Sequence, residues 1–100
     1  MARVLSFEDI KSDVSELGRE YGADRIFLFG SYARGDATEN SDVDLRIDKG
    51  DIRGLFKLAG LQLALEEKLG HNVDLLTTDC LDKSFLDKIA KEEILLYGNE

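Results

Sequence analysis

The chain alternates between two hydrophobic periods. Ile10, Val14, Leu17 and Tyr21 recur three or four residues apart, which aligns them on one face of an α-helix. Ser6 in front of them suits an N-cap, Glu8 and Asp9 suit the positive end of a helix dipole, and Gly22 can end it. The spacing therefore predicts a helix over 7–21. Ile26 to Phe29 is a continuous apolar run closed by Gly30, the pattern of a short buried strand. Farther on the period drops to two: Val43, Leu45 and Ile47 alternate with Asp42, Asp44, Arg46 and Asp48. That alternation predicts a strand buried on one face. Leu55, Leu58, Leu61, Leu65 and Leu69 restore the helical period, which stops at Gly70. Val73 to Thr77 reads as a third strand with Asp74 inside it, and residues 82–92 as a third helix through Phe85, Leu86 and Ile89. Ile94 to Tyr97 is predicted to be a last strand instead of a final helical turn. This order predicts an α/β or α+β two-layer fold, a small mixed sheet with helices packed on it.

Composition narrows the class. One hundred residues without a repeat, a linker or a single proline read as one domain, 1–100. No apolar run approaches the roughly 20 residues of a membrane span, and no signal-peptide core follows Met1, so a cytoplasmic protein is expected. The one cysteine, Cys80, has no internal disulfide partner, which fits a reducing compartment; it is expected to be a small buried hydrophobe. Thirteen basic residues are scattered among twenty-one acidic ones, for a net charge of −8. A long nucleic acid, held by its phosphates, needs clustered Lys and Arg. Phosphates are therefore expected to be handled locally, through a cation.

The stretch from Gly30 to Leu45 carries the candidate chemistry. Gly30 and Gly35 stand as in a P-loop, but Asp36 falls where that loop needs lysine. Asp36, Thr38, Asn40 and Asp42 alternate as in an EF-hand loop, but Ser41 replaces its glycine and Ile47 its final glutamate. A dinucleotide fingerprint is excluded because no G-x-G occurs. A two-metal carboxylate site survives these tests. Residues two apart on a strand face the same way, about 6.6–7 Å apart, so Asp42 and Asp44 can serve two Mg²⁺ ions about 3.5–4 Å apart. Asp74 has the same setting between Val73 and Leu75, and joins them if its strand lies alongside. Gly30 lets backbone approach a ligand, Ser31 can cap the turn that follows, and Arg34 can grip a phosphate.

The stretch GSYARGDATENSDVDL resembles the signature of the minimal nucleotidyltransferases of the DNA polymerase beta superfamily, G-S-x-A-R-G followed by S-D-x-D-L. The resemblance extends over nearly the whole chain and implies a polymerase-beta-like nucleotidyltransferase fold. It implies that Gly30, Ser31, Arg34 and Ser41 meet the nucleotide phosphates, and that Asp42, Asp44 and Asp74 are the catalytic metal ligands. It further implies two Mg²⁺ ions, with Mn²⁺ as a substitute, and transfer of AMP from ATP or of another nucleoside monophosphate. In that scheme Asp42 and Asp44 bridge both metals, and Asp74 serves the catalytic metal and the acceptor hydroxyl. The family's usual partner is a helical HEPN protein in a toxin–antitoxin module, so a hydroxyl of that protein, such as a tyrosine, is the expected acceptor. An aminoglycoside-type small molecule is the alternative acceptor, and a non-catalytic antitoxin acting by contact is the alternative class. His71 is expected to be a surface residue and Tyr32 a packing residue.

Overall fold

The computed structural model describes residues 3–99. Helix α1 (Phe7–Tyr21) begins where Ser6 Oγ accepts the Asp9 N–H, and ends at Gly22 in the left-handed conformation. Strand β1 (Arg25–Phe29), a single helical turn α2 (Ser31–Arg34) and strand β2 (Val43–Asp48) follow. Helix α3 (Gly54–Leu69) leads into strand β3 (Val73–Thr77), and helix α4 (Lys83–Ala90) into strand β4 (Ile94–Tyr97). The last segment is a strand, as its apolar run predicts. A 3₁₀ turn over Thr78–Cys80 precedes α4, and the predicted helix over 82–92 is shorter: Asp82 caps it and Lys91 already lies outside.

The four strands lie in the order β3-β2-β1-β4. Strand β1 runs antiparallel to both of its neighbours, and β2 pairs in parallel with β3 through α3. The sheet is therefore mixed. Its inner face carries Ile26, Leu28, Val43, Leu45, Ile47 and Val73. Ile10, Val14 and Leu17 of α1 and Leu61, Leu65 and Leu69 of α3 cover that face and complete the core. Alternation sends Phe27, Phe29, Asp44, Arg46 and Asp74 to the other face. Among the described helices α4 packs there, through an edge-to-face contact of Phe85 with Phe29 at 6.0 Å between ring centroids, and Thr78 and Glu93 meet Arg46 on the same face. The two-layer expectation thus describes α1 and α3, while α4 adds a partial third layer and leaves the carboxylate corner uncovered.

Two expectations on individual residues are corrected. Leu55 is 83% exposed and its neighbour Phe56 is 97% exposed, because the buried stripe of α3 starts only at Leu58. Cys80 is exposed, at the end of the 3₁₀ turn. Tyr32 does pack against the core, and its hydroxyl accepts the Leu5 N–H. His71 is partly buried, sits edge-on to Tyr32 and hydrogen-bonds the Arg3 carbonyl.

The division between buried and exposed leucines predicts unequal costs of truncation. Leu45 is fully buried, so Leu45→Ala should lose about 2–5 kcal/mol in urea unfolding. Leu55→Ala should change stability by no more than about 0.5 kcal/mol. Equal losses at the two positions would contradict this packing.

Candidate active site

The site is assembled by strand register. Phe29 lies opposite Asp44 across the antiparallel β1–β2 pair, and Asp44 lies directly opposite Asp74 across the parallel β2–β3 pair. Partners in a ladder point to the same face, so the carboxylates of Asp44 and Asp74 share the face that α1 and α3 leave free. Asp42 comes one residue before β2 and keeps the alternation: Asp42 is exposed, Val43 buried, Asp44 half-buried. The three sequence-predicted carboxylates are thus brought to one corner. Among the described residues they are not yet gathered into a closed set of three ligands. The corner is an acidic surface on which Asp44 and Asp74 stand side by side in register.

Gly30 forms the floor of this corner. Its φ of +76° and ψ of −155° lie in a region that L residues avoid. A Cβ on Gly30 would come 2.1 Å from Asp44 Oδ2. Glycine is required twice, by the backbone angle and by the carboxylate that rests on it. Gly30, not Ser31, is the N-cap of α2, and no side chain caps that turn. The amides of Ala33 and Arg34 bond to the Gly30 carbonyl. Those of Ser31 and Tyr32 find no backbone acceptor among the described residues. They remain available to a ligand anion.

Arg34 projects from the end of this turn. Its Nε is 3.3 Å from Asp36 Oδ2, and its Nη1 is 3.2 Å from Glu92 Oε2. The hydrogen bond and charge of Asp36, followed by the charge of Glu92, hold its pKa above the ordinary arginine value. Ser41, by contrast, is occupied locally: its Oγ accepts the Thr38 N–H at 2.8 Å. It closes the 38–41 turn that delivers Asp42. A cleft of about 330 Å³ beside that turn, lined by Glu39, Ser41, Asp42, Glu66, His71 and Asn72, meets the carboxylate corner only at its edge.

Glu92 is the site residue that sequence reasoning missed. Its Oε2 accepts the Gly30 N–H at 2.5 Å, and the same carboxylate pairs with Arg34. Sixty-two residues separate Glu92 from Gly30. No local pattern marks Glu92, since two glutamates before an apolar run usually mean a solvated turn. Only the β1–β4 pairing brings it here.

Electrostatics fit a cation. Burial, then the charges of Asp74 and Asp42, push the Asp44 carboxyl up from 3.8 to about 6, against the opposing charge of Arg34. Oxygen donors that repel one another at one corner suit a hard divalent ion in chemical type.

A mixed sheet that presents paired strand carboxylates beside a glycine-opened turn agrees with the nucleotidyltransferase fold that the sequence resemblance implies. The profile of the family Polymerase beta, Nucleotidyltransferase matches residues 13–100, and the chain belongs to that family. It is 36% identical over 95 residues to the protein adenylyltransferase MntA of Thermococcus cleftensis, covering 91% of this chain and 96% of that one. A solved structure of a candidate minimal nucleotidyltransferase superposes with a TM-score of 0.76 at 35% identity, over 90% of this chain and 98% of the other. The MNT antitoxin complexed with a tri-AMPylated HEPN toxin of Shewanella oneidensis shares the fold, with a TM-score of 0.70 at 21% identity over 90% of this chain and 71% of that one.

Two outcomes follow from this geometry. Gly30→Ala should cost at least the roughly 1–3 kcal/mol of a strained backbone and displace Asp44, which thermal unfolding and loss of divalent-ion binding would register. The second concerns Asp44 in metal-free protein. Its native pKa lies above the unfolded one, so the native state holds the proton more tightly between pH 3.8 and about 6. The stability that Asp44 contributes must fall as pH rises through that window and then level off. Melting curves of wild type and Asp44→Asn should therefore diverge between about pH 4 and 6 in the variant's favour; parallel curves would refute the shift.

Proposed function

We propose that the protein is a Mg²⁺-dependent protein adenylyltransferase that moves AMP from ATP onto a hydroxyl of a HEPN-type partner protein, as the antitoxin of a toxin–antitoxin pair. The observation that carries this reading is the Asp44–Asp74 pairing in register beside the Gly30 turn. The relative named as a protein adenylyltransferase supports the reaction, and the AMPylated HEPN complex of a neighbour with the same fold supports the partner.

In this reading Asp42, Asp44 and Asp74 would hold two Mg²⁺ ions, or Mn²⁺ in their place. When bound, such ions neutralise phosphate charge and sharpen an attacking oxygen. The chain itself does the remaining work. The free amides of Ser31 and Tyr32 bind a non-reacting phosphate group, and Arg34 neutralises charge on the leaving side. Asp74, the exposed member of the pair, receives the proton of the acceptor hydroxyl. The hydroxyl oxygen forms a bond to the α-phosphorus, the bond from that phosphorus to the bridging oxygen breaks, and pyrophosphate leaves. The uncovered corner of the sheet leaves room for a protein acceptor, because among the described residues α4 packs only on the adjoining part of that face.

The test is to incubate the protein with a HEPN-type partner, ATP and Mg²⁺, and to weigh both proteins. One or more AMP additions on the partner are expected, with Asp42→Asn and Asp44→Asn slowed roughly 10²–10³-fold while still binding it. AMP on an aminoglycoside-type molecule and none on the partner would replace the acceptor. Full neutralisation of the partner by a variant unable to transfer would overturn the catalytic role.

A further inference from the structure

The geometry points to Glu92 as a positioning residue: its carboxylate fixes Arg34 at the phosphate-binding turn, in the place from which Arg34 serves the nucleotide. The inference deepens the proposed function and rests on that reading of the site.

Strand β4 pairs antiparallel with β1, with Leu28 opposite Ile94. Continuing that ladder by two residues sets Gly30 against Glu92, but the strand has already ended in the turn after α4. The side chain takes over where the backbone stops: Glu92 Oε2 accepts the Gly30 N–H in place of a ladder carbonyl. The same carboxylate receives Arg34 Nη1 at 3.2 and 3.4 Å. One group therefore holds both the backbone of the turn and the guanidinium beside it. Glu92 is the better shielded partner, with its side chain 25% exposed against 49% for Arg34.

Its neighbour anchors it. Glu93 binds Arg46 through two hydrogen bonds, 2.9 Å from Nε and 2.7 Å from Nη2. Arg46 in turn lies 4.1 Å over the Phe27 ring. The corner between α4 and β4 is thus tied to the middle of the sheet, and Glu92 stands on a fixed support. A long, exposed arginine gains most from such a support, because holding it in one rotamer beforehand removes an entropy cost from binding.

A competing account treats the Glu92 carboxylate as an occupant of the anion site, which a triphosphate must displace. The two accounts differ in sign. If Glu92 positions Arg34, neutralising it weakens nucleotide binding; if it competes, neutralising it strengthens binding. The dependence on Arg34 separates positioning from a general support of the turn, because Glu92→Gln retains an acceptor oxygen for the Gly30 N–H.

The experiment is a double-mutant cycle read by calorimetry, using a non-hydrolysable ATP analogue with Mg²⁺ on wild type, Glu92→Gln, Arg34→Ala and the double variant. Circular dichroism establishes that each is folded. Glu92→Gln should weaken binding roughly tenfold in the wild-type background, the scale of a lost charge-assisted contact. In the Arg34→Ala background it should have no effect or improve binding, since the carboxylate then only repels phosphate. An equal loss in both backgrounds, no loss in either, or a gain in the wild-type background would overturn the inference. A wild type that binds the analogue with any of those three patterns overturns the role of Glu92 alone. A wild type that binds no nucleotide overturns the proposed function and this inference with it.

Discussion

Everything at this site depends on one close approach, the Asp44 carboxylate occupying the space that a side chain on Gly30 would fill. A carboxylate accepts partial burial only against compensation, and the nearest cation, Arg34, opposes the upward shift without cancelling it. The fold thereby carries a deficit of positive charge at a defined place. The contact also joins two parts of the chain that must work together. Gly30 ends β1 and opens α2, while Asp44 lies on the neighbouring strand. A shift of one residue in the β1–β2 register would turn Asp44 into the core and bring Val43 or Leu45 to the surface. The apolar alternation that buries Val43, Leu45 and Ile47 is therefore also what aims the carboxylates.

The sheet's outer face divides the labour of its charges. Near its closed end Arg46 is shared by Glu93, Thr78 and the Phe27 ring, with only 11% of its side chain exposed. Each nitrogen of the Arg46 guanidinium is met by an oxygen from the same chain, which is the condition for burying charge without a heavy penalty. Two residues away, Asp44 has two acidic neighbours and no such closure. A sheet that balanced all its charges internally would have nothing left with which to bind an ion. The contrast between Arg46 and Asp44, on one strand and one face, separates a charge met within the chain from one left for a ligand to meet.

Much of the site was legible because its core is local. The glycine, the serine, the arginine and two of the aspartates fall within fifteen residues, 30–44, and period-two alternation alone decides that Asp42 and Asp44 share a face. Asp74 needed one further step, a guess that its strand lies beside β2, since a carboxylate flanked by Val73 and Leu75 is costly unless it faces something polar. What stayed hidden depends on strand order. Residue-by-residue pairing of Asp44 with Asp74 requires the parallel crossover through α3, and Glu92 arrives only because β4 joins the opposite edge of β1. The placement of α4 on the outer face was hidden for the same reason. Leu55 and Cys80 misled differently: each fits an apolar pattern, but lies where the pattern outruns the surface that could bury it.

The acidic excess of the chain now acquires a mechanical meaning. A triphosphate approaching a protein of net charge −8 gains no general attraction from the surface, so its binding must come from a few directed groups. The turn amides are uncharged donors and the arginine is a single cation, so under the proposed function the remaining positive charge would arrive with the ligand as a metal–nucleotide complex. Such a site discriminates by coincidence: carboxylates without the ion repel the nucleotide, and the turn without the carboxylates offers too little to hold it. Under the proposed function, selectivity for a small metal-bound triphosphate would follow from this scarcity of positive charge, at a corner where the Gly30–Asp44 contact gathers carboxylates instead.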